Sequence, residues 1–341
     1  MRDLVIKLGG IAILCLAAAP AGARTIEVRG SSALASAVQG ARAGDEIVLA
    51  DGIYPISRKL AAAAAGTVAA PISVRAAHRQ MATILSSGLI AFEVTGPYWH
   101  FAGLVVRGVC TLDTVCEHAF HVVGNTDGFA LTGSQLVDFN AHLKVNADVA
   151  HHLPAHGLVA DNAFFDTHPR HTNNPVAPVN IDNAVEWVVR GNIIHDFQKD
   201  GTGEDSYGAF VKGGASAPLI EHNVVDCSRD RPAVGRMVGL SFGAHGMDPK
   251  LCPPHWDGGV VCDPEVQGGI IRNNIIRACN GEGIYLNRAA GSQVVFNTLE
   301  NTGGILLRYR GTSADVHGNR MPGAVRAELG ARVTGDAGLQ K

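Results

Sequence analysis

Residues 191–197 read GNIIHDF, and the same arrangement, an asparagine followed by two or three mostly apolar residues, recurs along the chain. The recurrences are DNAFFD at 161–166, HNVVDC at 222–227, NNIIRAC at 273–279, FNTLENT at 296–302 and GNRM at 318–321. Their asparagines, at positions 162, 192, 223, 274, 297 and 319, are spaced by 30, 31, 51, 23 and 22 residues. Spacings of about 20 to 30 residues are typical of solenoid turns, and the longest interval leaves room for an insertion.

A second kind of short strand, with apolar residues at alternate positions, lies upstream of these asparagines. The examples are VNID at 179–182, GAFVKGG at 208–214, GLSFGA at 239–244, GIYLNRA at 283–289 and GILLRYR at 304–310. Short strands of period two and a stacked turn asparagine predict an all-β, single-domain, right-handed parallel β-helix. The alternative, an antiparallel β-sandwich, predicts turn signals every 8 to 12 residues and no long-range asparagine register.

The two ends of the chain have their own patterns. The first residues, 1–23, combine a charged start, a short apolar run and small residues, which predicts a secretory signal peptide. A lipoprotein signal is the alternative, because Cys15 lies in the apolar run. We expect a secreted or periplasmic protein whose β-helix covers 24–322, with an insertion at about 243–268. An N-terminal helix before the first strand, capped by Ser31 or Ser32, is expected to cover the open end, and 323–341 to form a cap or tail.

Six cysteines remain after the signal, and an even number in an exported chain favours disulfides. Their positions suggest three pairs among fifteen possible connectivities: Cys110 with Cys116, Cys227 with Cys279, and Cys252 with Cys262. The absence of any Cys-x-x-Cys pair argues against a zinc site.

The charge balance also limits the possible partners. Lysine and arginine number 28 and aspartate and glutamate 31, so the net charge is −3. This balance gives no sign of the basic face of a nucleic-acid-binding protein. No segment after the signal is apolar enough to predict a membrane span, and the oligomeric state is not predicted.

Alignment of the short strands by their glycines predicts which side chains point away from the core. The expected outward ladder contains His121, Lys144, Asn146, Asn180, Asp182, Lys212, Asn287 and Arg308. Because coils lie about 4.8 Å apart, this ladder would form a groove for several sugar rings, with His121, Lys144, Asn146 and Asn287 as binding residues. Trp256, in the insertion, is expected either to stack on a sugar or to pack its own loop.

The turn DGTGEDS at 200–206 offers acidic groups just before Lys212. Together with Asn180 and Asp182, its Glu204 and Asp205 could supply oxygen ligands for Ca²⁺. The alternative is an ordinary solvated loop.

Several segments resemble a known family. AGDEIVLADGIYPI at 43–56, APISVRAA at 70–77 and FAGLVVRG at 101–108 are similar to the first coils of the parallel β-helix lyases of the chondroitinase B and alginate lyase family. The stretch GEDSYGAFVKGGASAPLIEHNVV at 203–225 resembles the family's segment in which acidic residues precede the catalytic lysine.

The resemblance implies a polysaccharide lyase that cleaves a uronic-acid-containing glycan by β-elimination. A cation neutralises the sugar carboxylate, and a lysine removes the proton on C5. Lys212 matches that lysine, Glu204 and Asp205 match the acidic pair, and Asn180 corresponds to the asparagine ligand.

One element of the family pattern is absent from its expected place. The family carries an arginine on the strand after the lysine, where this chain has GLSFGAHG at 239–246. The candidates for the missing role are His245, Arg288 and Arg308. Two other function classes stay open: a different β-helix carbohydrate enzyme, namely a C5 epimerase or glycoside hydrolase, and a non-catalytic glycan-binding β-helix.

Overall fold

The computed structural model describes residues 22–200, 205–244, 252–254, 256 and 262–335. Within these ranges, parallel strands stack into three long sheets and one short sheet, and each complete coil contributes one strand to each long sheet in turn. The fold is the predicted right-handed parallel β-helix. Inward-facing side chains of all three long sheets form one continuous apolar core.

The strands of each sheet follow one another along the axis of the solenoid. The first sheet contains Thr25–Val28, Glu46–Leu49, Ile72–Ala76, Trp99–Ala102, Ala130–Thr132, Leu158–Ala160, Val188–Arg190, Leu219–Glu221, Ile270–Arg272, Ser292–Val295, Ser313–His317 and Arg332–Thr334. The second sheet contains Gly52–Ile56, Ala82–Ser86, Val105–Gly108, Gln135–Val137, Ala163–Phe165, Ile193–His195, Val224–Asp226, Ile275–Arg277 and Thr298–Glu300. The third sheet contains Leu60–Ala62, Ile90–Val94, His118–Val123, Ala141–Asn146, Val179–Asp182, Ser206–Lys212, Met237–Phe242, Ile284–Asn287, Ile305–Arg308 and Val325–Glu328. The short fourth sheet contains Ala215–Ser216, Val266–Gln267 and Ala289–Ala290.

The N-terminal helix, Ser31–Gln39, packs Leu34, Ala37 and Val38 into the end of the apolar core. This agrees with the expected end-covering role, but two details of the prediction are wrong. A strand precedes the helix, and the N-cap residue is Gly30, with φ of 85° and no side-chain cap hydrogen bond. The predicted signal peptide lies almost entirely outside the described residues. No helix in the described part of the chain is long and apolar enough to cross a membrane.

The recurring asparagines form a hydrogen-bonded ladder at the turn between the first and second sheets. Each Nδ2 group donates to the Oδ1 atom of the next asparagine at 2.9–3.0 Å, from Asn162 through to Asn319. The left-handed residue of the turn is the one before the asparagine, such as Asp161, His222 or Asn273, and not the asparagine itself. The asparagine is therefore selected for its amide group, since the backbone strain lies one residue earlier.

All three predicted disulfides are present, with Cα–Cα distances of 5.7 Å for Cys110–Cys116, 4.9 Å for Cys227–Cys279 and 5.1 Å for Cys252–Cys262. The Cys227–Cys279 disulfide links two consecutive coils across the insertion, and Cys252–Cys262 lies inside it. The coils also continue beyond residue 322, where we expected a cap or tail, because Val325–Glu328 extends the third sheet and Arg332–Thr334 the first.

The ladder predicts a position-dependent cost of removing an asparagine. Asn223 donates to Val189, Glu221 and Asn274 and accepts from Asn192, so Asn223→Ala leaves several buried polar groups unpaired. We expect a loss of roughly 2 to 4 kcal/mol in the free energy of unfolding, measured by chemical denaturation. The half-buried terminal Asn319 is the control, and Asn319→Ala is expected to cost less than half as much. Equal effects at the two positions would contradict the ladder's role.

Candidate active site

The register of the third sheet agrees with the outward ladder derived from the strand alignment. One column runs through His121, Lys144 and Asn180, which are direct neighbours on consecutive coils. A second column, two residues further along, pairs Asp182 with Lys212 and Asn287 with Arg308. The pairing of Val145 with Ile181 extends this second column to Asn146.

The ladder is not an open groove, contrary to our expectation. Lys212 is 6% exposed, and Asp182, Asn180 and Asn287 are buried as well. Pro253, in the described part of the insertion, packs closely on Gly214, two residues after Lys212. The packing is so close that a Cβ atom on Gly214 would lie 2.7 Å from Cγ of Pro253. An apolar cluster on the same outer face also covers the strands; it comprises Ala177, Tyr207, Phe210, Val238, Ala244, Tyr285 and Leu306.

Lys212 ends its strand with an ammonium group in a mixed polar and aromatic environment. Its Nζ atom lies 4.8 Å from the centroid of the Phe210 ring, which is the range of a cation–π contact. Asp182 lies directly beside Lys212 on the preceding coil. Among the residues that the structure describes, the ammonium has no hydrogen-bond or ion-pair partner.

Glu265 completes this cluster, and the sequence reasoning missed it. The insertion rejoins the coil at Glu265, whose carbonyl accepts the Gly214 N–H at 2.8 Å and whose own N–H donates to the Arg288 carbonyl at 2.8 Å. Its carboxylate accepts the Gly213 N–H at 2.9 Å, and the residue is 1% exposed. Glu265 thus lies one coil from Lys212, on the coil where the family pattern places its arginine.

Burial raises the pKa of Glu265 to about 7. The Gly213 N–H and the positive charges of Lys212 and Arg288 act in the opposite direction, whereas the charge of Asp182 adds to the rise. Glu265 is therefore within electrostatic reach of Lys212, Asp182 and Arg288. A carboxyl that changes protonation near neutral pH, beside a lysine, is suited to proton transfer.

The two candidate arginines share an aromatic contact. The guanidinium of Arg288 lies 4.4 Å from the ring centroid of Tyr309, and that of Arg308 lies 5.2 Å from it. Arg288 also donates to Asn287 at 3.3 Å, while Arg308 is 3.8 Å from Glu328. Arg288 is the one that reaches the cluster, since its charge acts on Glu265 and Arg308 lies one coil further away.

Of the four residues predicted to bind calcium, the three that the structure describes are not brought together. Asn180 and Asp182 are close, but both bind the Lys144 ammonium. Asp205 lies at the opposite end of the seven-residue strand Ser206–Lys212, about 20 Å away, where it pairs with Arg236. The prediction treated the turn and Lys212 as neighbours because they are close in sequence, but an extended strand separates them. Glu204 and the catalytic candidate His245 lie outside the described residues.

The remaining predicted binding residues lie apart from Lys212. His121 bonds through Nε2 to Oδ1 of Asn146 at 2.8 Å, on the earlier coils of the same sheet. The indole of Trp256 stacks on the His151 ring, with centroids 4.2 Å apart and planes 5° from parallel. Of the two roles considered for Trp256, loop packing is the one for which the structure shows a partner.

A separate cluster of His195, Asp196 and Asp230 lies at the end of the second sheet. His195 is already hydrogen-bonded through Nδ1 to Asp196 at 2.8 Å, and the Asp230 side chain is largely exposed. This cluster is distinct from the Lys212 site.

Comparison with known proteins supports the architecture. A family model described as a right-handed β-helix region matches residues 159–321. No curated protein matches the sequence. Among solved structures, the pectate lyase Pel9A aligns with a TM-score of 0.55 and 14% identity, over 94% of this chain and 79% of its own.

Two further solved structures are similar. A rhamnogalacturonan lyase aligns with a TM-score of 0.51 and 14% identity, over 84% of this chain and 79% of its own. A GH136 lacto-N-biosidase from Eubacterium ramulus aligns with a TM-score of 0.53 and 11% identity, over 90% of this chain and 63% of its own. At these identities the likeness establishes the fold.

The buried carboxyl of Glu265 predicts that the stability difference between wild type and a Glu265 variant depends on pH. Because the pKa of Glu265 is raised from 4.5 to about 7, the folded state holds a proton that the unfolded state has already released in this window. Stability conferred by this group is therefore greatest below about pH 4.5 and falls as the pH rises through about 7. We compare the unfolding free energies of Glu265→Gln and wild type by denaturation at pH 5 and at pH 8. From the lower to the higher pH, their difference should shift by roughly 2 to 3 kcal/mol in favour of the variant. A difference independent of pH would contradict this environment for Glu265.

Proposed function

We propose that the protein is a secreted or periplasmic polysaccharide lyase that cleaves an acidic, uronate-containing glycan by β-elimination. The observation that carries the proposal is the convergence of Lys212, Asp182, Glu265 and Arg288 at one end of the third sheet. The predicted signal peptide and the three disulfides support an exported protein. The similar solved structures named as lyases support the reaction class through their common fold.

The cluster offers both proton-transfer partners of an elimination. In its neutral form, the Lys212 amine takes the proton from C5 of the uronate ring, and the released electron pair forms the C4–C5 double bond. The bond between C4 and the glycosidic oxygen then breaks. The protonated carboxyl of Glu265 gives its proton to that oxygen, so Lys212 ends protonated and Glu265 ionised. Transfer of a proton from Lys212 to Glu265 restores both groups.

The cationic groups of the cluster would bind the substrate carboxylate. Arg288 lies beside Glu265, and a guanidinium holds a carboxylate through paired N–H donors. Because Lys212 is 6% exposed, binding of a sugar requires the surface that covers it to move. Such a closed site would keep water away from the reacting atoms.

A glycoside hydrolase is the second candidate, because two carboxylates, Asp182 and Glu265, share the site. One neutral carboxyl and one ionised carboxylate are the groups that glycoside hydrolysis uses. The similar structure named as a lacto-N-biosidase supports this alternative through its fold.

The function is tested by incubating the protein with a panel of uronate-containing polysaccharides. We expect ultraviolet absorbance from unsaturated uronate ends, and we expect Lys212→Met to reduce the rate about 10²- to 10⁴-fold by removing the base. Lys59→Met is the matched control, since Lys59 precedes the first strand of the same sheet and forms an exposed pair with Glu93. Its rate should equal that of wild type.

The other outcomes separate the alternatives. New reducing ends without ultraviolet absorbance would replace the lyase with the hydrolase. Altered uronate stereochemistry without chain cleavage would indicate an epimerase, and binding without any product a glycan-binding protein. Lyase activity that survives Lys212→Met would keep the reaction class and remove Lys212 as its base.

A further inference from the structure

Lys144 lies between the two oxygen-bearing side chains that the sequence suggests as calcium ligands. Its ammonium donates to Oδ1 of Asn180 at 2.9 Å and forms an ion pair with the Asp182 carboxylate. We propose that the Lys144 ammonium is the permanent cation of this site, so that the site works without a bound metal ion.

The position of Lys144 follows from the coil register. Lys144 and Asn180 are direct neighbours on consecutive coils, and Asp182 lies two residues further on the same face as Asn180. An ammonium on a four-carbon side chain therefore reaches both oxygens without leaving its column. This contact is built into the stacking and does not depend on a flexible loop.

The ion pair between Lys144 and Asp182 is largely shielded from solvent. The Lys144 side chain is 18% exposed and that of Asp182 is 5% exposed. Burial lowers the pKa of the Lys144 ammonium, and the adjacent Asp182 carboxylate opposes this fall through its charge and its hydrogen bond. Removing either partner would leave an uncompensated buried charge. The pair is thus a fixed part of the site.

Among the residues that the structure describes, the remaining surroundings do not suit calcium, which takes six to eight oxygen ligands. Lys144 binds one oxygen of Asp182, and Lys212 lies beside Asp182 on the next coil. A divalent ion at Asp182 would be repelled by both ammonium groups, strongly so away from water. The nearby carboxylate of Glu265 is bound to the Gly213 N–H. Asp205, from the predicted acidic turn, lies at the other end of the strand.

If the proposed function is correct, Lys144 also has a role in the reaction. Elimination requires the uronate carboxylate to be neutralised, so that the C5 proton becomes acidic. Because Lys144 compensates the Asp182 carboxylate, the positive charge of Arg288 stays available to the substrate carboxylate. This part of the inference rests on the proposed function, whereas the metal-free character of the site does not.

Calcium titration tests the inference without any substrate. The full chain is treated with a chelator, dialysed and titrated with CaCl₂ by isothermal calorimetry, with Tm recorded in CaCl₂ and in chelator. We expect no binding heat and the same Tm in both. Binding near one ion per chain, with a higher Tm in CaCl₂, lost in Asp182→Asn and kept in the exposed-site control Asp315→Asn, would overturn the proposal.

Substitution of Lys144 tests its role as the resident cation. Lys144→Met should lower Tm by about 5 °C or more, because Asp182 loses its partner, and Lys144→Arg should restore most of this loss. The matched control Lys59→Met breaks an exposed ion pair at the start of the same sheet and should change Tm by no more than about 1 °C. Equal, small effects at both lysines would contradict the proposal. If Lys144→Met does not accumulate as folded protein while Lys59→Met does, the result supports the pairing, and wild-type calorimetry still decides the calcium question.

The two failures are distinguishable. A protein without lyase activity that also ignores calcium removes the proposed function and leaves the resident cation standing. A protein with lyase activity that needs calcium at Asp182 keeps the function and removes the resident cation.

Discussion

Parallel hydrogen bonding between successive coils is the constraint on which the rest of the molecule depends. Each coil can stack only in the register that aligns its backbone with the coil before it, and the asparagine ladder fixes that register at one corner. Once the register is fixed, side chains at equivalent positions form columns about 4.8 Å apart. The column of Asp182 and Lys212 is a direct result. The solenoid therefore places charges beside each other that are far apart in sequence.

The charged side chains around Lys212 largely compensate one another. The cations Lys144, Lys212 and Arg288 are balanced by Asp182 and by Glu265, whose carboxyl changes protonation near neutral pH. Lys144 and Asp182 compensate each other directly. Glu265 can then adjust the charge of the remainder by gaining or losing one proton. A site of this kind suits a ligand that brings one negative charge of its own, because the buried excess is positive.

The repeated sequence pattern made the fold and the strand alignment predictable. Period-two alternation and the spacing of the asparagines predicted the fold, the strand alignment and the outward direction of Lys212 and Asp182, since these depend on local patterns repeated many times. Position relative to the ladder predicted the Cys227–Cys279 disulfide, and closure of the insertion and of an early loop predicted the other two. Burial was not predictable, because it depends on the irregular insertion and on an apolar cluster formed by residues of several coils.

Asp205 and Glu265 show that distance along the sequence was a poor guide to distance from Lys212. Asp205 is close to Lys212 in sequence but lies at the far end of an extended strand. Glu265 is 53 positions away from Lys212, yet it lies on the adjoining coil, because the insertion closes immediately before it. Alignment of the two-residue strands of the fourth sheet would have revealed the column of Gly214, Glu265 and Arg288.

The most direct test of the proposed active site is a crystal structure of the Lys212→Met variant with a bound uronate oligosaccharide. We predict a sugar ring at the end of the third sheet, with C5 about 3 to 3.5 Å from the place that Nζ of Lys212 occupies in the wild type. The ring carboxylate should face Arg288, and the glycosidic oxygen should face Glu265. An oligosaccharide bound on another face, with this cluster still covered and unchanged, would contradict the assignment of the active site.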